Sequence, residues 1–181
     1  MVLGIIAIDT IYREHHDRDY PDTMAVIVYN SKTGSSKKYA EILSERTGLK
    51  CYSVKESYPK DEEIIFIGWL RGHKIVGLSK IDQKNLKAVC VVGLDDANFF
   101  PKDKVIAHHK YEVETFYLRG WIIPEKINFF EKFILKMVTK KILREAGEFA
   151  DKALIDTMLH GGSYFDESFV DPIVGFVEAD Q

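Results

Sequence analysis

Residues 31–36 of the chain read Ser31-Lys32-Thr33-Gly34-Ser35-Ser36, a run of hydroxyls with one glycine, one lysine and no carboxylate. Such a set has little capacity for acid–base or nucleophilic chemistry, but it suits holding an anion. Hydroxyls and backbone amides donate hydrogen bonds, a glycine lets the chain come close, and no acidic side chain opposes a phosphate dianion. For those donors to converge, the run must sit at the start of a helix, where free N–H groups and the helix dipole favour negative charge. A serine-rich run before a helix is also what simple N-capping produces, so a capped helix with no ligand is the competing reading. Lys32 either screens the anion or is solvated.

The flanking sequence supplies the required elements. Residues 25–29, Ala25-Val26-Ile27-Val28-Tyr29, form the continuous apolar run of a strand buried on both faces, ending at Asn30. A helix is predicted directly after the loop, with Tyr39, Ala40, Ile42 and Leu43 on one face and Lys37, Lys38, Glu41, Glu45 and Arg46 on the other. Gly48 stops it. The loop has neither the Gly-Lys-Ser/Thr ending of a Walker A motif nor the spacing of GxGxxG.

Strand, Ser/Thr-x-Thr-Gly-x-Ser/Thr and helix together resemble the flavodoxin fingerprint, with Ser31, Thr33, Gly34 and Ser36 in their places. The resemblance implies that the loop wraps the 5′-phosphate of FMN, with hydroxyl and backbone donors from Thr33, Ser35 and Ser36. The rest of the chain has the matching rhythm. Further strands are predicted at residues 49–54, 64–68, 88–93 and 114–118, with helices at 74–86 and 101–109. The expected fold is α/β, a flavodoxin-like three-layer, doubly wound parallel five-stranded sheet of order 2-1-3-4-5.

Ligands of such sheets lie beyond the carboxyl ends of the strands where strand order reverses. Two more loops therefore join the first. Gly68, Trp69, Leu70, Arg71 and Gly72, followed by His73, would lie at the height of an isoalloxazine ring. Trp69 would stack on that ring or simply close the sheet edge, and Arg71 or His73 would bring positive charge near it. Gly93, Leu94 and Asp95 would meet the pyrimidine side through their backbone, with Asp95 and Asp96 turned to solvent. No residue is singled out as catalytic.

With 181 residues, 46% hydrophobic and 29% charged, the chain has the length for one core, and its net charge of −3 gives no footprint for nucleic acid. Cys51 and Cys90 lack CxxC spacing and suit buried free thiols in a reducing, cytoplasmic setting. Residues 1–23 form an N-terminal extension: an apolar patch at 2–8 too short to span a bilayer, then a polar stretch, with Met24 a second potential start. His15, His16 and Asp17 lack a third partner at metal-ligand spacing, so no metal site is expected.

The remaining domain, 24–181, departs from a short flavodoxin after the fifth strand by an insertion of about residues 121–162. Residues 125–138 place Phe129, Phe130, Phe133, Ile134, Met137 and Val138 on one helical face; a second helix is predicted at about 142–159 and a terminal one at 167–178. Residues 126–144 hold six basic side chains and one acidic, whereas 161–181 hold five acidic and no lysine or arginine. The insertion, with Ile67-Gly68-Trp69-Leu70-Arg71-Gly72-His73, Leu118-Arg119-Gly120 and Phe133-Ile134-Leu135-Lys136-Met137, resembles the flavodoxin-domain group that includes the menaquinone-dependent protoporphyrinogen dehydrogenases. That implies FMN-dependent electron transfer or dehydrogenation with a redox partner protein, a quinone or a small-molecule substrate. A flavodoxin-like interaction module that binds no FMN is the alternative. The apolar face of the insertion is expected to pack on its own domain and to share in a homodimer, with peripheral membrane contact as the competing use.

Overall fold

The computed structural model of the chain describes residues 25–179. The N-terminal extension, its histidine pair and Met24 lie outside the described residues. The central sheet is built from β1 (Ala25–Asn30), β2 (Cys51–Ser53), β3 (Glu63–Arg71), β5 (Leu86–Gly93) and β6 (Glu114–Arg119), all parallel, in the spatial order β2-β1-β3-β5-β6. A two-residue strand, β4 (Lys74–Ile75), folds back antiparallel on the end of β3. Leaving out that hairpin, the parallel strands follow the expected 2-1-3-4-5 order, compatible with a flavodoxin-like fold.

Alternation along the strands divides the core into two halves. Ile27, Ile65, Ile67, Ala88, Cys90 and Val92 point to one side, where α1 (Ser35–Thr47) and α5 (Asp171–Glu178) cover them with Tyr39, Leu43, Ile173 and Val177. Val26, Val28, Ile64, Phe66, Val89 and Val91 point to the other, under Ile75, Leu78, Ile81 and, from α2 (Lys102–His109), Val105. Burial on both faces is why these strands read as unbroken apolar runs. Each fully buried aliphatic side chain contributes roughly 1.5–3 kcal/mol.

The predicted helix at 74–86 is not present. After the Gly72 turn come β4 and two short 3₁₀ turns, Leu78–Lys80 and Gln83–Asn85, the second capped by Asp82 accepting from the Lys84 amide at 3.1 Å. The apolar residues Ile75, Leu78 and Ile81 do face the sheet, but three-residue spacing is equally the repeat of a 3₁₀ turn. Gly77, at φ 97°, breaks the pattern and lies against Asn30 at the end of β1. Cys90 is buried as expected, whereas Cys51 is only half-buried, because β2 is an edge strand.

The excursion after β6 leaves through β7 (Trp121–Ile122) and returns through β8 (Gly162–Ser163), paired antiparallel as a ribbon. Between them stand α3 (Phe129–Ala146) and α4 (Lys152–His160). The first inserted helix thus starts and ends later than expected, since residues 124–126 form a 3₁₀ turn and Asn128 with Glu131 makes a capping box. Gly147, at φ 54°, ends α3, and Asp151 caps α4 through the Leu154 amide at 3.0 Å. The second inserted helix is shorter than the expected 142–159, because residues 142–146 belong to α3, and the terminal helix is shorter too: 167–170 is 3₁₀, and α5 begins at Asp171 with Pro172 in its first turn.

Among the described residues, the apolar face of α3 does not pack on its own domain. Phe129 is 87% exposed, Phe130 68% and Met137 57%, while the inward stripe consists of Glu131, Leu135, Thr139, Ile142 and Ala146. Among the described residues no helix is long and apolar enough to cross a membrane.

Candidate functional site

The order reversal of the sheet falls between β1 and β3, whose carboxyl ends are adjacent in register, Asn30 beside Gly68. The loop after β1 is shaped locally by two features. Ser31 Oγ accepts from the Gly34 amide at 3.1 Å, closing a turn, and Gly34 takes φ 113°, a left-handed conformation that a side chain would strain. The first helical bond runs from the Lys38 amide to the Gly34 carbonyl at 3.0 Å. The amides of Ser35, Ser36 and Lys37 therefore precede the helical ladder and have no acceptor within it. Ser35 and Ser36 are buried, and the Ser36 hydroxyl has no hydrogen-bond partner among the described residues.

The insertion grips this loop from outside. Trp121 lays its indole against Gly34, 3.3 Å from where a Cβ would stand, and donates Nε1–H to the Thr33 carbonyl at 3.0 Å. The Thr33 hydroxyl donates in return to the Trp121 carbonyl at 3.1 Å. Its one proton is thus directed at the Trp121 carbonyl in this structure. Lys126 Nζ adds a 3.3 Å bond to the Thr33 carbonyl, and Lys32 pairs with both carboxylate oxygens of Glu131 on α3. The Lys32 hydrogen bond chiefly holds the Glu131 carboxyl below its ordinary range, helped by the Asn128 cap and by the charges of Lys32 and Arg71. Lys126 and Lys32 thus both reach the loop, Lys32 paired with Glu131, and the Arg71 charge also acts on that carboxylate.

The ring-side residues are distributed differently from the sequence expectation. Trp69, Leu70 and Arg71 are strand rather than loop, because β3 runs nine residues and its end is held by the β4 hairpin. Only Gly72 and His73 form the turn between them. Gly68 is buried, and a side chain there would collide with Phe66 and Ile75, so it serves packing beneath the hairpin. Trp69 is half-buried with the Arg71 guanidinium 5.9 Å from its ring centre. On the far side, Gly93 ends β5 beside Arg119, and the loop that follows is pinned from β6. Arg119 donates to the Leu94 carbonyl at 3.0 and 3.2 Å, and the Tyr117 hydroxyl donates to the Asp95 carbonyl at 3.1 Å. Burial pushes the Tyr117 hydroxyl well above its ordinary pKa, so it stays protonated as a donor.

Sequence reasoning missed Glu131, Lys126, Arg119 and Tyr117 as partners of these loops. Gly120 was the available signal: it leaves no room for a side chain between Val92 and Ser35, which lets β7 turn back over the 31–36 loop. Behind it, Arg119 stacks 3.9 Å from the Tyr164 ring and Trp121 meets Phe165 edge-on at 5.2 Å, fastening the ribbon to the domain. No protein-family model matches the chain, and no curated protein matches it, so the reading of this site rests on its own geometry.

Proposed function

We propose that the chain is a flavodoxin-like redox protein that binds FMN non-covalently and carries out electron transfer or dehydrogenation at the flavin. The observation that supports this most directly is the Ser36 hydroxyl, which is buried at the N-terminus of α1 without a partner among the described residues. A buried donor left unmade costs about 1–3 kcal/mol, and an anion beside the free amides of residues 35–37 would relieve it. The residues present fit a phosphate: the Ser36 hydroxyl and those amides would donate to it, and Lys32 would add charge. Trp69 would flank the ring on one side, and Gly93, Leu94 and Asp95 would border it on the other. FMN itself supplies the redox chemistry, and the chain's part is to hold and orient it.

A different observation supports the alternative of an interaction module without a cofactor. The Thr33 hydroxyl, the Gly34 amide and Lys32 already have protein partners. Visible absorption of the purified chain after incubation with FMN and desalting separates the two. Flavin bands eluting with the protein are expected; a colourless protein would leave the interaction module. A redox partner protein, a quinone or a small organic molecule would then complete the electron path, in the cytoplasm.

A further inference from the structure

Among the described residues the outward face of α3 has no intramolecular partner, and its two halves differ in chemistry. Over the first turns Phe129, Phe130, Phe133, Ile134, Met137 and Val138 are all exposed. Over the last turns the same outward arc carries Lys140, Lys141 and Arg144, with Lys132 and Lys136 at its margin. Glu145 is the only carboxylate there, and it lies 3.8 Å from Lys141.

We propose that α3 docks this protein on an anionic phospholipid surface, the helix lying in the plane of the interface. At 1.5 Å per residue its 18 residues extend along the surface without crossing it. Phenylalanine and methionine side chains enter the boundary between headgroups and acyl chains, and the lysines reach lipid phosphates with their stems along the apolar surface. Charge decides against a second copy of the chain as occupant. Two α3 helices packed antiparallel would set the cationic half of each on the phenylalanines of the other, and packed parallel they would set cation against cation. Neither arrangement supplies the anions that a bilayer of acidic lipids supplies. The proposal does not depend on the flavin reading.

The test is sedimentation of the full chain with vesicles of phosphatidylcholine alone, or with one third phosphatidylglycerol, at low and high salt. Binding is expected to the anionic vesicles at low salt and to fall as salt is raised. Phe130→Asp with Phe133→Asp should lower the partition more than ten-fold while circular dichroism is unchanged. Lys136→Gln with Lys140→Gln, which leaves the apolar face intact, should lower it by about 30-fold at low salt and far less at high salt. Equal binding to neutral vesicles, no binding to either kind, or unchanged binding by both variants would overturn the proposal. So would a dimer in light scattering that Phe130→Asp dissociates, since the face would then be covered by a second copy.

Discussion

Replacing Ser36 by alanine should move stability and affinity in opposite directions. The hydroxyl is fully buried and has no partner among the described residues, so its removal deletes a desolvated donor rather than a hydrogen bond. Relief of about 1–3 kcal/mol is expected, with a few tenths more from the better helix propensity of alanine. For a domain of this size each kcal/mol corresponds to roughly 2–4 °C in Tm. With a phosphate in place the same hydroxyl would donate to a charged acceptor, worth about 1.5–3 kcal/mol, and its loss should weaken FMN binding about 10- to 150-fold. Scanning calorimetry of Ser36→Ala without ligand, paired with a fluorescence titration of FMN, measures both terms. A lower Tm together with unchanged FMN affinity would refute the reasoning, because the hydroxyl would then be satisfied within the helix turn and have no part in anion binding.

Other substitutions test the neighbouring contacts. Gly34→Ala places a side chain at φ 113° and 3.3 Å from the Trp121 ring, so urea denaturation should show a loss of about 1–3 kcal/mol, accompanied by weaker FMN binding. Glu131→Gln removes the partner of Lys32. Because the Glu131 carboxyl is held below its ordinary range in the folded chain, the stabilisation it gives is complete above that range and is lost as pH falls through the lowered value. With both side chains partly solvated, the gap between wild type and variant should be no more than about 1 kcal/mol at pH 7 and should close as pH falls from the ordinary glutamate range through the lowered value. The freed lysine should tighten FMN about two- to five-fold. Cys90 is fully buried and its thiol is pushed up by burial, so a disulfide reagent should modify only Cys51 in the native chain and both thiols in denaturant.

The parts of the fold that the sequence disclosed are those set by local pattern. β1, β3 and β5 declare themselves because burial on both faces demands continuous apolar runs, and the 31–36 loop because its hydroxyls, lysine and glycine cluster before an amphipathic helix. Residues 74–86 misled because Ile75, Leu78 and Ile81 are spaced as either a helix or a pair of 3₁₀ turns would space them, and only the pairing of β4 with β3 separates the two. Trp69 reads as loop because Gly68 resembles a strand end, whereas the glycine is required by Phe66 and Ile75 beneath it. The Trp121 clamp joins positions 88 residues apart and has no signature in either segment. For α3 the apolar arc was readable, but what covers it was not, since a helix that hides its face and one that presents it have the same periodicity.

The claim that the 31–36 loop anchors a flavin through its phosphate is tested most directly by titrating the purified chain with FMN and, in parallel, with riboflavin, which lacks the phosphate. Saturable quenching by FMN is expected, with riboflavin at least about 100-fold weaker, since two or more charged hydrogen bonds are lost with the phosphate. Equal affinity for the two flavins would place the binding energy on the ring alone, and no binding of either would leave the loop as a capped helix start clamped by Trp121.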